Sequence, residues 1–206
     1  MTPTTASECN LYGTIRPPRP DATVGFRDSM IGDALRKQGM NKLKADEDLA
    51  DLEHEQTLLS DPTRTSLDVR FPMLVVEGEG YATGANGFGA ENQAAMARSC
   101  MINLLRQLTD LQKETSPDAQ PEGMGPFAFS FCTQGPWLGF WVHHTVEEES
   151  ITEYHMNLLM ACHTSFVAEV QRLLLLVEQV MSWYGNEFLD GVADQLVDLS
   201  RRPFTG

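Results

Sequence analysis

One short run of residues limits the fold of this chain more than any other feature: Met73, Leu74, Val75 and Val76 are all apolar. Successive side chains of a β-strand point to opposite faces of the sheet, so a strand that is apolar at every position is covered on both sides. Strands of this kind lie inside sheets that have helices on both faces. We therefore expect an α/β fold in which helices flank a mixed β-sheet.

The remaining segments supply the other elements of such a fold. Two apolar segments joined by Gln134-Gly135-Pro136 predict a hairpin. In the long helix that precedes it, apolar residues recur every three or four positions and predict the buried face. These residues are Met96, Cys100, Leu104, Leu108 and Leu111. The predicted strands are 21–26, 67–70 with 73–77, 127–133, 137–146 and 154–160, and the predicted helices are 30–38, 45–59, 90–112, 165–184 and 187–200.

Length and composition indicate one folded domain. The chain has 206 residues, of which 42% are hydrophobic, and this is enough for a single core. Residues 1–19 are rich in Thr and Pro and are predicted to form a flexible arm, before a domain over 20–200 and a tail over 201–206. The longest apolar stretch is far shorter than the roughly 20 residues that cross a bilayer, and residues 1–10 lack the apolar core of a signal peptide. We therefore expect no contact with a membrane, an intracellular location in nucleus or cytoplasm, and reduced cysteines.

The net charge of −14 disfavours a protein that holds nucleic acid by bulk electrostatics. The charge is unevenly distributed, however. Residues 1–44, the N-terminal basic segment, contain seven Lys or Arg and four Asp or Glu. Residues 45–206 contain eight Lys or Arg and twenty-five Asp or Glu. A contact with DNA phosphates is therefore expected to come from this segment. An ordinary solvated surface is the alternative for the same charges.

Two carboxylates follow the apolar run directly, in Glu77-Gly78-Glu79. A bend at Gly78 is expected to bring them together, with the backbone carbonyl of Gly78 as a third oxygen. Oxygen ligands of this kind suit Mg²⁺ or Mn²⁺. A solvated strand end would have the same three residues, so the triplet alone leaves both interpretations open.

The order of four motifs extends this observation. Pro20-Asp21 opens the first strand, FPMLVVEGE forms residues 71–79, AENQAA forms 90–95 and FAFSFCTQG forms 127–135. The series resembles the PD-(D/E)XK nuclease-like domain of uncharacterised fungal proteins, from about Pro20 to Tyr184. That family has a PD strand, an apolar strand ending in E-x-K, an A-x-N-Q-A-A helix and an A-F-S-x-x-T-x-G hairpin. The resemblance implies a restriction-endonuclease-like three-layer sandwich and metal-dependent hydrolysis of DNA.

The resemblance also implies a role for each matching residue. Asp21 and Glu77 correspond to the metal-binding acids, which together with the Gly78 carbonyl would hold Mg²⁺ or Mn²⁺. Gln93 would hold water or phosphate. Glu79 stands where the family has lysine, and it would bind a second metal or activate water, as in a restriction endonuclease with E-x-E. Asp68 is the alternative to Asp21, because Asp21 is far from Glu77 along the chain.

A non-catalytic interaction module with the same fold is the rival interpretation. It is favoured by the acidic surface and by the loss of the lysine at Glu79, because lysine offsets the charge that develops on phosphate. An effector or regulatory protein of this kind would bind a second copy of itself or another protein. His143 and His144 are adjacent on a predicted strand and therefore face opposite sides, so they are not expected to share a metal ion.

Overall fold

The computed structural model describes residues 20–41, 47, 69–79, 87–115, 125–149 and 151–200. Within them the strands are β1 (Ala22–Phe26), β2 (Arg70–Glu79), β3 (Ala128–Gln134), β4 (Trp137–Glu148) and β5 (Ile151–His163). The helices are α1 (Asp28–Lys37), α2 (Gly87–Thr115), α3 (Val167–Trp183) and α4 (Leu189–Ser200). A π-helical turn, Tyr184–Phe188, joins α3 to α4. The predictions made for 1–19, for 45–59 apart from Glu47, for Asp68 and for 201–206 lie outside the described residues.

The five strands form one mixed sheet in the order β1-β2-β3-β4-β5. β2 and β3 are parallel, with α2 as the connection between them, and every other neighbouring pair is antiparallel. The predicted hairpin is confirmed: β3 and β4 meet at Gln134 and Trp137, and Gly135 in the turn has a φ of 56°, a conformation that glycine adopts at little cost.

Helices cover both faces of the sheet, as the apolar run in β2 predicted. On one face, Val75 and Cys132 pack against Ala94 and Ala97 of α2. On the other face, the strands pack against a larger cluster that includes α1, α3 and α4. Its sheet and helix members include Leu74, Phe129, Phe140, Ile31, Leu173 and Leu196. The chain is therefore an α/β fold with a mixed sheet flanked by helices.

The buried face of α2 differs from the predicted one. Leu104 and Leu108 are buried as expected, but Met96 is 38% exposed and Cys100 is half-buried. In the first half of the helix, small residues face the sheet instead, because alanines allow the helix backbone to lie close to the strands. The buried residues of α2 also include a charged one, Arg98.

None of the helices in the described part of the chain is long and apolar enough to cross a membrane.

Candidate functional site

Asp21 and Glu77 lie side by side where β1 begins and β2 nears its end. Ala22 pairs with Val76 in the antiparallel register, so the preceding residue of β1 reaches the position beside Glu77. The Gly78 backbone N–H donates a hydrogen bond of 2.8 Å to Asp21 Oδ2. The N–H and C=O of one strand residue point to the same side of the strand, so the Gly78 carbonyl also faces β1. The structure thus brings three of the predicted oxygen donors to one strand edge.

The expected bend at Gly78 is wrong. β2 continues through Gly78 to Glu79, and the alternation of side chains places Glu77 and Glu79 on the same face of the sheet, under α2. A side chain at position 78 would crowd this edge: a Cβ would lie 3.1 Å from Thr133 Oγ1 and 3.4 Å from Asp21 Oδ2. Glycine at this position therefore avoids a tight contact with the Thr133 hydroxyl and leaves the Asp21 carboxylate at ordinary contact distance.

Glu77 is a buried carboxylate whose two oxygens differ in their hydrogen bonding. Its side chain is 2% exposed, and no donor in the described part of the chain reaches Oε1. Burial, followed by the charge of Asp21, raises the pKa of Glu77 to about 7. The charge of Arg98 and a backbone hydrogen bond from Asp21 act in the opposite direction. Buried oxygens without a donor are rare in folded proteins, because their desolvation is not compensated.

Arg98 brings a positive charge to this face of the sheet, which the sequence did not lead us to expect. It is fully buried, and Nη1 donates a hydrogen bond of 2.6 Å to the backbone carbonyl of Met73. Nε and Nη2 have no hydrogen-bond partner among the described residues. Burial lowers the pKa of Arg98 to about 9, and the nearby ionisable groups of Cys132 and Glu77 would oppose that change when they are ionised. Arg98 is therefore a buried positive charge near Glu77, whose pKa it lowers.

Glu79 lies against the first turn of α2. Its Oε1 is 3.0 Å from the point that a Cβ on Gly89 would occupy, so the glycine makes room for the carboxylate. The N-terminus of a helix carries a partial positive charge and favours a carboxylate there. This contact gives Glu79 a stabilising structural role in addition to its position near Glu77, whose pKa its charge raises.

Gln93 is not part of the buried cluster. It is exposed on α2, and it makes no hydrogen bond to Asp21, Glu77 or Glu79 within the described residues. The neighbouring Glu91 is closer to the sheet, since its charge raises the pKa of Cys132. The A-x-N-Q-A-A segment thus packs by its alanines, while Gln93 faces solvent.

The other buried polar residues on this face are structural. His143 Nε2 and Ser130 Oγ are 2.9 Å apart, and both side chains are buried. Burial lowers the pKa of His143 to about 3, so the imidazole is neutral in the folded chain. Burial raises the pKa of the Cys132 thiol to about 11, and Cys132 and Cys162 are free cysteines.

The metal predicted for this site can be tested against the donors present. Nowhere in the described ranges do three or more His, Cys, Asp or Glu side chains form a group that could hold a metal ion. A magnesium ion needs fewer protein ligands, because it usually keeps several waters and binds one or two carboxylates together with substrate phosphates. Asp21, Glu77 and the Gly78 carbonyl are oxygen donors of the kind that such a site uses.

Fold and site together define a class: an α/β domain with a mixed sheet and a pair of acidic side chains at the edge between its first two strands. Residues 2–196 match the family described as Domain of unknown function (DUF7924), and the chain belongs to that family. Searches of curated proteins and of solved structures gave no match.

Proposed function

We propose that this chain is a metal-dependent nuclease-like domain that hydrolyses phosphodiester bonds in DNA. The observation that carries the proposal is the arrangement of Asp21 and Glu77. The Asp21 carboxylate accepts a hydrogen bond from the Gly78 N–H, and the Glu77 carboxylate accepts one from the Asp21 backbone. The buried Glu77 Oε1 has no donor within the described residues. An oxygen in this state is suited to a metal ion, which would replace the missing hydrogen bond.

The order of the elements supports the finer fold assignment, a restriction-endonuclease-like sandwich. The resemblance to PD-(D/E)XK domains implies a PD strand that precedes the E-x-K strand along the chain. β1 follows Asp21, β2 contains Glu77, and the two strands are paired. The helix with the A-x-N-Q-A-A sequence then leads to β3, which pairs with β2 in parallel.

The charges of the site also favour a divalent cation. With all acids ionised, Asp21, Glu77 and Glu79 carry three negative charges and Arg98 one positive charge. The remaining charge of about −2 matches Mg²⁺ or Mn²⁺. A bound ion would offset the repulsion from Asp21, which adds to burial in raising the pKa of Glu77. When bound, the ion would polarise a phosphoryl oxygen. Asp21, Glu77 and the Gly78 carbonyl would hold it, and Glu79 would orient or deprotonate the attacking water.

DNA would reach this acidic chain through the N-terminal basic segment. Arg36 and Lys37 lie in the last turn of α1, both exposed, and Arg36 forms an ion pair with Asp33. Lys42 and Lys44, which complete the basic cluster, lie outside the described residues. A substrate of this kind agrees with the proposed location in nucleus or cytoplasm.

A specific observation favours the second candidate, a non-catalytic interaction module. Glu79 contacts the start of α2 and occupies the position of the lysine that stabilises charge on phosphate in related nucleases. A domain that had lost catalysis could keep Glu79 for the stability of α2 alone.

Cleavage of labelled DNA separates the two candidates. The assay compares single-stranded and double-stranded DNA, with about 5 mM Mn²⁺ or Mg²⁺, a dose above the affinity expected of carboxylate sites. We expect cleavage by the wild type and a loss of at least about 10²-fold in Glu77→Ala and Asp21→Asn. Glu148→Gln, an exposed acid in β4, is the matched control and should cut like the wild type.

The same proteins are melted with and without the metal ion. No cleavage, together with unchanged melting temperatures, would favour the interaction module. Activity that survives Asp21→Asn but disappears in Asp68→Asn would transfer the metal-binding role to Asp68.

A further inference from the structure

The exposed apolar side chains of this chain are concentrated in one region. Twelve large apolar residues are exposed among those described, and eight of them lie between Ile151 and Leu175. They belong to β5, to the turn after it and to the first half of α3: Ile151, Tyr154, Leu158, Leu159, Phe166, Val167, Leu174 and Leu175. A concentration of exposed apolar side chains in one region is a feature of interaction sites in folded proteins.

β5 is also the open edge of the sheet. It has 13 residues and pairs only with β4 in the described part of the chain, so one side of its backbone is available for another strand. Exposed edges are usually protected by Lys, by Pro or by being short. β1, the opposite edge, has five residues. β5 contains no Lys, Arg or Pro, and its one irregularity is a bulge between Leu158 and Met160, which leaves 151–158 uninterrupted.

Apolar side chains flank this edge on both faces of the sheet. Leu158 is 49% exposed on the α2 face, opposite Trp141 in the register. On the other face α3 packs against β5, and its Leu174 and Leu175 are 61% and 60% exposed. A second copy whose strand pairs with β5 would therefore cover exposed apolar side chains on both faces of the sheet. β5 and the exposed side of α3 supply about the 20 residues that one side of a standard interface contains.

The distribution of charge identifies the partner. Residues 151–177 contain three formally charged residues, Glu153, Glu169 and Arg172, whereas the whole chain has a net charge of −14. Both acids have partners within the chain: Glu153 lies 3.4 Å from His155 Nε2, and Glu169 accepts a hydrogen bond from the His163 N–H. A basic partner would be drawn to the acidic remainder of the surface. A second copy, which is itself acidic, meets little repulsion at this nearly neutral face.

We propose that two copies of this chain form a dimer in which their β5 strands pair antiparallel about a twofold axis. When two identical edge strands pair antiparallel about a twofold axis, the backbone N–H and C=O groups of each copy form hydrogen bonds with those of the other. The two sheets then join into one, and α3 of each copy lies beside the joined strands. This inference is independent of any nuclease activity.

The mass of the full chain in solution tests the dimer. Light scattering after size exclusion, at about 50 µM, should give two chains of 22.9 kDa. Leu158→Lys places a charge on β5, the edge strand of the proposed interface, and Leu174→Lys places a charge on the exposed side of α3. Each should weaken dimerisation at least about tenfold. Met96→Lys is the control: it adds the same charge at an exposed apolar residue of α2 and should leave the dimer intact.

Hydrogen exchange on the wild type provides a test that needs no variant. Amides in 151–158 should exchange more slowly as the protein concentration rises, and those of β1 should not change. A monomer at about 100 µM would overturn the proposal, as would a dimer that both lysine variants leave unchanged. A polydisperse series of larger masses would also contradict it, since a twofold pairing closes at two copies.

Discussion

Replacing Glu77 by glutamine tests the electrostatics of the site through the stability of the fold. Burial and the charge of Asp21 raise the pKa of Glu77 from 4.5 to about 7. Between these values the unfolded chain has lost its proton while the folded chain keeps it, so the free energy of unfolding falls as pH rises. At about 1.4 kcal/mol for each pKa unit, the full loss is about 3 kcal/mol. The side chain is 2% exposed, so solvent screens little of this cost.

Glutamine has nearly the same shape and cannot ionise. The free energy of unfolding of Glu77→Gln, minus that of the wild type, should therefore be about 3 kcal/mol larger near pH 8 than near pH 4. For a chain of this length the difference corresponds to about 6–12 °C in Tm. Two proteins are compared because His143 acts in the opposite sense. Its pKa is lowered from 6.5 to about 3, mainly by burial, so it adds stability as pH rises, equally in both proteins.

Urea unfolding at several pH values, followed by circular dichroism, measures the difference. Glu148→Gln removes an exposed acid and should run parallel to the wild type. A divalent ion at high pH should stabilise the wild type and leave Glu77→Gln unchanged. A difference between Glu77→Gln and the wild type that stays within about 0.5 kcal/mol over the whole range would refute the reasoning, because Glu77 would then ionise without cost.

Two further substitutions test the neighbours of Glu77. Arg98→Met removes a buried charge and the hydrogen bond to the Met73 carbonyl, and we expect a loss of about 1–3 kcal/mol in urea unfolding. Arg98→Lys, which keeps the charge, should lose less, and equal losses would show that the charge is irrelevant. Glu79→Lys replaces a carboxylate at the start of α2 by a cation, which should cost about 1–2 kcal/mol, less at high salt. Glu79→Gln should cost about half as much, and a lysine variant as stable as the wild type would contradict the helix contact.

The sheet was predictable because its signals are local. An apolar run in β2 requires cover on both faces, and Gln134-Gly135-Pro136 between two apolar segments requires a tight turn. Both follow from neighbouring residues in the chain. The length of β5 was less predictable: it begins at Ile151 and ends at His163, beyond both ends of the predicted strand 154–160. Because β5 is an exposed edge strand, its apolar and polar residues do not alternate clearly. The sequence therefore had no periodic pattern that marked where the strand begins and ends.

The acids of the site were predictable as a set, and their energetics were not. Asp21, Glu77 and Glu79 could be named from motif order, because each of them stands beside a strand that the sequence itself predicts. Arg98 belongs to the same electrostatic group only because α2 crosses above β2 and buries it. In the sequence it stands within an amphipathic helix, where an arginine normally faces water.

The buried face of α2 explains why Arg98 was not expected at the site. The large apolar residues of the helix suggested a face through Met96 and Cys100, which would have left Arg98 on a flank. Alanines instead define the side that touches the sheet, since only small residues allow the helix to lie close to the strands. A helix that close to the sheet leaves a long side chain under it no route to water. Arg98 must therefore find its partners in the protein: Nη1 donates hydrogen bonds to the Met73 carbonyl and to Met101 Sδ, and Glu77 is the nearby acid. The same small residues that fix the packing of α2 thus also fix the electrostatics of the candidate site.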